Sequence, residues 1–298
     1  MHKVYCIIVT YNGEKWIRKC LSTIEEPNLD LTILVVDNNS TDKTVQIIKD
    51  EFPFVRLIEK KENLGFGGAN NLGYEIAKKD NAEFIYLLNQ DTVSYQDTIF
   101  KLIKVSQLID NVGVVSPIHL NEKGDLLDSN FEGYINSKTC KNYISDHTLG
   151  NVKAYYEPGF INAAAWLIKM ERITYLGGLF SKAFYHYGED VNFIGRLRKF
   201  GFTNIIVPGI YIHHCREERK GAMSADFQNR IVEINRVNIM HDIRSDYSRC
   251  LSNIVKYALQ QLSKVNVIAS LKIITYPILK YQEIKKYRSS YLERSLEK

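Results

Sequence analysis

The sequence has no run of eighteen apolar residues, so no membrane span is expected of it. It has no CxxC pair. Its five cysteines, Cys6, Cys20, Cys140, Cys215 and Cys250, are odd in number and widely spaced, a pattern of reduced thiols rather than a disulfide framework. The N-terminal apolar run is too short for a signal peptide, which makes the cytoplasm the expected compartment. No charge of one sign dominates: 39 Lys and Arg stand against 34 Asp and Glu, a net charge of +5. Nucleic acid is therefore not an expected partner, whereas acidic phosphates, free or on a membrane, are compatible. Internal repeats and low-complexity segments are absent. No GxGxxG follows the first strand-like run, which argues against a dinucleotide-dependent dehydrogenase.

What is present is a chain of 298 residues, 45% hydrophobic and 24% charged, enough for one large α/β domain with or without an appendage. Residues 4–10 form a continuous apolar, β-branched run, as expected of a strand buried on both faces. Further strands are expected at 31–36, 55–58, 84–88, 112–116, 160–169 and 204–207. Helical patterns occupy 16–24, the stretch leading to Asp50, 191–200 (closed by Gly201) and everything from about 227 onward. Strands separated by helices imply parallel pairing, so the expected class is α/β with a doubly wound, mostly parallel sheet and a C-terminal helical extension. Residues 121–156 are polar and read as loops with a hairpin.

The last 48 residues hold nine Lys or Arg and three Glu, and Ile254, Val255, Leu259, Leu262, Val267, Leu271 and Ile274 recur at helical spacing. Pro277 is expected to break this segment in two. Helices with cationic and apolar faces suit the surface of an anionic membrane. A homodimer contact or a packed lid fits the same pattern.

In an open parallel sheet, ligands sit beyond the carboxyl ends of the strands. Polar groups fall at such ends here: Thr10-Tyr11-Asn12, Asp37-Asn38-Asn39, and Asn89-Gln90-Asp91. Asp37 can accept from a base or a ribose, or it can cap a turn. The glycine-rich stretch from Asn63 through Gly65 to Asn70 opens a helix, where backbone amides approach phosphates closely; a plain loop-to-helix cap is the alternative. One carboxylate, Asp91, suffices for a divalent cation held mainly by substrate phosphates. Glu189 and Asp190 stand at a helix start, as caps or as a general base for a hydroxyl. His213 and His214 point opposite ways if both lie in a strand.

In their order, Val9-Thr10-Tyr11-Asn12, Val35-Val36-Asp37-Asn38-Asn39-Ser40-Thr41-Asp42, Asn63-Leu64-Gly65-Phe66-Gly67-Gly68-Ala69-Asn70, Leu87-Leu88-Asn89-Gln90-Asp91 and Gly188-Glu189-Asp190 resemble glycosyltransferase family 2, with the rhamnosyltransferase-like branch as the nearest likeness. The resemblance spans roughly residues 3–224. It implies a GT-A fold, with residues 1–225 as the transferase domain (1–118 the nucleotide-sugar half, 119–225 the acceptor half) and 226–298 as the helical extension. It implies inverting transfer from a nucleoside-diphosphate sugar to a glycan or lipid-linked glycan, assisted by Mn²⁺ or Mg²⁺. By the same carry-over Thr10, Tyr11, Asn12, Asp37, Asn63, Gly65, Asn70, Asn89 and Glu189 bind substrate. Asp91 holds the metal, His213 most nearly matches a histidine that contacts the metal or diphosphate (with His214 the other candidate to face the metal), and Asp190 is the base. Two positions depart from the family pattern: Asn89 replaces the first acid of the metal motif, and Asn192 stands where a further acid often follows the base.

Overall fold

The computed structural model describes residues 1–215, 225–264 and 266–295. The far end of the motif-bearing stretch, residues 216–224, lies outside them. The chain divides into two compact units, Met1–Leu179 with Phe202–Glu217, and Phe180–Gly201 with Glu218–Lys298.

The first unit is built on one mixed sheet. Its elements in chain order are β1 (Lys3–Thr10), α1 (Ile17–Ser22), β2 (Asp30–Asp37), α2 (Thr44–Glu51), β3 (Arg56–Glu59), α3 (Gly65–Lys79), β4 (Phe84–Asn89), β5 (Thr92–Val93), α4 (Thr98–Ser106), β6 (Val112–Leu120), α5 (Ser129–Glu132), α6 (Tyr143–Thr148), β7 (Ala165–Lys169), α7 (Met170–Tyr175) and β8 (Thr203–His214). The strand order is β3-β2-β1-β4-β7-β6-β8-β5. β1 pairs in parallel with β2 and β4, and β2 with β3, because each apolar run is followed by a helix that carries the chain back to the starting edge. Residues of β1, β2 and β4 such as Ile8, Val35 and Leu87 are fully buried, and helices cover the sheet on both faces. α3 approaches β1 closely at Gly73, where a Cβ would stand 2.6 Å from Ile7 Cγ2.

Parallel pairing does not extend through the whole sheet. β7 enters antiparallel between β4 and β6, and the short β5 pairs antiparallel with the end of β8. The strand expected at 160–169 begins only at Ala165. The polar stretch 121–156 contains two short helices, α5 and α6, and an antiparallel bridge between Leu120 and Leu127 in place of a full hairpin. β8 is longer than the expected 204–207. Its register against β6 jumps between Pro117↔Val207 and Ile118↔Tyr211, so a bulge at 208–210 lets the strand continue to His214.

The second unit is helical: α8 (Glu189–Lys199), α9 (Ala225–His241), α10 (Tyr247–Ser263), α11 (Val267–Leu279) and α12 (Tyr281–Ser295). Its core joins Met240, Cys250, Ile254, Ala258, Ile273 and Ile284. Pro277 does not break the segment where it stands. It lies inside the last turn of α11, buried, and the helix ends two residues later. Asn192 has a structural post: its amide donates to Tyr287 Oη at 2.9 Å while its Oδ1 accepts from Arg196 Nε at 3.2 Å. Arg196, 1% exposed, also donates to Tyr291 Oη, and this network ties α8 to α12.

Candidate functional site

The register of the parallel strands sets Thr10 opposite Asp37 and Val9 opposite Asn89, so the polar ends of β1, β2 and β4 share one rim. Asp37 is 2% exposed and its carboxylate is held from several sides. Thr10 Oγ1 donates to Oδ1 at 2.8 Å, and Ser40 contributes its hydroxyl to Oδ1 and its amide to Oδ2 at 2.9 Å. Each carboxylate oxygen has two acceptor sites, so Oδ2 retains capacity for one more donor.

The two loops beyond β1 and β2 are fastened together. Asn12, at φ 48°, accepts from the Thr41 amide through Oδ1 at 2.8 Å, and its own amide donates to Ser40 Oγ at 2.9 Å. The Gly13 amide donates to Thr44 Oγ1 at 2.7 Å. Tyr11 is 50% exposed, its backbone clamped on both sides by Gln90 (Tyr11 N to Gln90 Oε1 3.0 Å, Gln90 Nε2 to Tyr11 O 3.2 Å). A Cβ at Gly13 would lie 2.2 Å from Gln90 Oε1, so a side chain there would push the Gln90 amide out of this clamp.

Asn38 performs the corresponding task for the glycine-rich stretch. It is buried, donates to the Gly65 carbonyl at 3.2 Å and accepts from the Leu64 amide at 3.2 Å. Gly65 begins α3 at φ 72°, a left-handed conformation that glycine adopts without strain, and its amide is taken by Asn63 Oδ1 at 2.8 Å. Asn70 is 1% exposed and donates to the Phe66 carbonyl one turn back, so it stands inside the helix packing. Gln90 and Asn38 were absent from the expected site residues. Their signal was weak: each is an amide beside a more conspicuous acid.

Asn89 ends β4, with its amide on the Ala164 carbonyl and its own carbonyl accepting from Thr92 Oγ1 at 2.6 Å. The turn that follows presents Asp91, whose side chain is 21% exposed. Pairing of Thr92 with His214 and of Val93 with His213 then decides which histidine Asp91 meets. His214, 4% exposed, sets Nε2 3.5 Å from Asp91 Oδ1 and Nδ1 3.7 Å from Asp128 Oδ2. Asp128 is itself buried and caps α5 through its other oxygen. His213 projects to the opposite side, where Nε2 lies 2.6 Å from Tyr95 Oη and Nδ1 3.0 Å from the Glu122 carbonyl. Thus the structure sets His214, where His213 was expected, beside Asp91. The alternation along β8 is the reason.

Among the described residues, no group of three or more His, Cys, Asp or Glu is placed to hold a metal ion. Asp91 and His214 do form a pair of suitable donors. One carboxylate and one imidazole fit a divalent ion whose other ligands are phosphate oxygens and water. Nearby, Cys20 is a buried free thiol pushed up to about 12 by burial, which removes it from nucleophilic chemistry.

In the second unit, Gly188 at φ 89° starts α8 and leaves no room for a Cβ, which would meet Asn238 and Ile234 at 2.9 Å. Glu189 and Asp190 follow in the first helical turn. Glu189 is 4% exposed, and burial, then the neighbouring Asp190 charge, push its carboxyl up to about 7. Asp190 is half-buried and its Oδ1 accepts from the Val191 amide at 2.7 Å.

Comparison with known proteins gives a consistent result. Residues 5–173 match the family described as glycosyl transferase family 2. The chain is 34% identical over 117 residues to the SPbeta prophage-derived glycosyltransferase SunS of Bacillus subtilis, a match covering 38% of this chain and 26% of SunS. It is 21% identical over 239 residues to the N-acetylglucosaminyl-diphospho-decaprenol L-rhamnosyltransferase of Mycobacterium tuberculosis, covering 72% of this chain and 76% of that one. The mannosyltransferase PcManGT of Pyrobaculum calidifontis, solved with GDP-Man and Mn²⁺, superposes with a TM-score of 0.58 at 18% identity, covering 99% of this chain and 86% of its own. That last likeness is one of fold.

Proposed function

The chain belongs to glycosyl transferase family 2, and from that premise we propose that it is an inverting hexosyltransferase working from a nucleoside-diphosphate sugar. Its fold is GT-A and its activity is sugar transfer. The acceptor in this reading is a hydroxyl of a growing cell-surface glycan, free or lipid-linked, reached at the cytoplasmic face. Rhamnose from a deoxythymidine donor is the leading sugar, in line with the likeness to the mycobacterial rhamnosyltransferase. Residues 1–118 act as the donor half, residues 119–225 as the acceptor half, and 226–298 as an added helical part.

The observation that supports this most is the single rim on which Thr10–Asp37–Ser40 and Asp91–His214 both lie. In this reading Asp37 accepts from the base or ribose, aimed by Thr10 and Ser40. Tyr11, Asn12, Asn63, Gly65, Asn70 and Asn89 complete or shape the donor cradle. Asp91 and His214 would hold Mn²⁺ or Mg²⁺ with the diphosphate, and such an ion supplies positive charge against the diphosphate as it departs. Asp128, against the far nitrogen of His214, would keep the proton on Nδ1 and leave Nε2 as a donor of its lone pair. Asp190 accepts the proton of the acceptor hydroxyl, whose oxygen bonds to the anomeric carbon as the bond to the diphosphate breaks on the opposite face. Glu189, whose buried carboxyl is neutral over part of the physiological range, offers an O–H to the acceptor beside it.

A melting panel of uridine, deoxythymidine and guanosine diphosphates, with and without Mn²⁺, tests the reading. A ligand at about 100 times its dissociation constant adds about 2.7 kcal/mol. One nucleotide should raise Tm only with Mn²⁺, and Asp91→Asn should erase that rise. Asp190→Asn should keep it while abolishing transfer. A panel with no metal-dependent shift would remove the donor site, and loss of nucleotide binding in Asp190→Asn would remove the base assignment.

A further inference from the structure

The second unit carries an apolar surface that its own helices leave uncovered. α10 and α11 pack through Ile254, Ala258 and Ile273, all buried. The outward side of α11 is apolar as well. At 100° of rotation per residue, Ile268, Leu271, Ile278 and Leu279 fall within an arc of about 100°. On α10, Leu259 and Leu262 lead into the turn that joins the two helices. These six side chains are between 44% and 78% exposed. Single exposed leucines need no explanation, but a stripe of them on two consecutive helices marks a contact surface.

Charge selects what covers it. Between Asp246 and Glu283 the sequence holds no acid and five cations, Arg249, Lys256, Lys264, Lys272 and Lys280. Lys256, Lys264 and Lys272 are exposed. By the same helical rotation Lys272 borders the α11 arc next to Leu279. A second copy seated symmetrically on this face would bring lysines against lysines, which opposes a homodimer here. An anionic bilayer satisfies both features at once, taking leucine and isoleucine into its acyl boundary and lysine against its headgroups. No helix among the described residues is long and apolar enough to cross a membrane, so such a contact lies on the surface.

We propose that α10 and α11 seat the protein on anionic lipid bilayers, with Leu259, Leu262, Ile268, Leu271, Ile278 and Leu279 entering the interface and Lys256, Lys264 and Lys272 at its rim. The proposal does not rest on the transferase reading. It is tested by floating the full-length chain with phosphatidylcholine vesicles prepared with and without phosphatidylglycerol. The protein should float with the anionic vesicles at low salt and be released at high salt. Ile268→Glu combined with Leu271→Glu should weaken the partition coefficient by about tenfold or more. Lys272→Ala should weaken it about fivefold on anionic vesicles only. Phe54→Glu, at a position 68% exposed in the first unit, should change nothing. All four sites are exposed, and unchanged thermal melts would confirm folding. Absence of flotation at low salt, or full flotation of the double glutamate variant, would overturn the proposal. So would a wild-type dimer in light scattering that the double variant dissolves, which would make this face an interface between copies.

Discussion

The imidazole of His214 lies between two carboxylates, 3.5 Å from Asp91 and 3.7 Å from Asp128. Asp91 is partly open to solvent and Asp128 is buried, so the two flanks of the ring have different work. In the proposed reading the Asp128 charge, 3.7 Å from Nδ1, favours the proton on that nitrogen and so presents the Nε2 lone pair toward the Asp91 side. Asp128→Asn keeps an oxygen to cap α5 and removes the negative charge. We expect metal-dependent nucleotide affinity to fall about 10- to 100-fold. The melting temperature without ligand should change by only a few degrees, and affinity without metal should not change. Titration calorimetry with and without Mn²⁺ separates these outcomes, and equal losses in both would make Asp128 a purely structural cap.

At the scale of elements, the site depends on how closely helices approach strands. α3 carries the glycine-rich stretch to the rim and is seated on β1 through Gly73, with Ile7 filling the space a side chain would need. Alanine at 73 would gain about 1 kcal/mol in helix propensity. It would also force a buried, β-branched neighbour to move, at about 1–3 kcal/mol. We expect Gly73→Ala to lower Tm by a few degrees, read by calorimetry, and to weaken nucleotide binding through displacement of the Gly65 end of α3. A Tm equal to or above wild type would show that β1 yields without strain. β5 is only two residues long, yet its pairing with β8 decides which of two adjacent histidines faces Asp91.

Across the whole molecule, two buried carboxyls set the response to pH. Glu26 accepts the amides of Ile99 and Phe100 at the start of α4, yet burial outweighs these bonds and pushes its carboxyl up to about 7. Burial does the same to Glu189. Both values lie above the ordinary carboxylate range, so the folded state holds a proton that the unfolded chain has released. The stability this contributes is complete below about pH 4.5 and is lost as pH rises through about 7. Asp80 and Glu83 are shifted the other way, held low chiefly by hydrogen bonds, as is Asp42, where burial pushes up but bonds from Thr44 and backbone amides outweigh it, and their contribution is lost in acid. Melts should therefore show a maximum at about pH 4–5 and a decline from there to about pH 7, and Glu26→Gln should make that decline shallower. A flat profile between about pH 5 and 7 would mean that both carboxyls ionise in the folded protein without cost.

Local pattern alone determined β1 to β4 and β6 with α1 to α3, but not the two-residue β5 or α4. Continuous apolar runs at β1, β2 and β4, each closed by a polar group and followed by a helical stretch, read as buried strands joined by crossovers, with their polar ends on one rim. The helix closed by Gly201 was equally legible, because its end needs a left-handed residue and its apolar spacing is helical. Tertiary structure decided what depends on partners distant in the chain. The antiparallel entry of β7 has no local signature, since a strand buried on both faces reads alike in either direction. The side of β8 on which His214 falls was set by its pairing with β5, and strand alternation turns a shift of one residue into a change of face. The apolar stripe of α10 and α11 was visible as periodicity, but periodicity shows only that a helix has an apolar face. Packing determined that Ile254 and Ile273 turn inward while Leu259, Ile268 and Leu271 stay outside, because two helices in contact bury one side of each and leave the other for water or lipid.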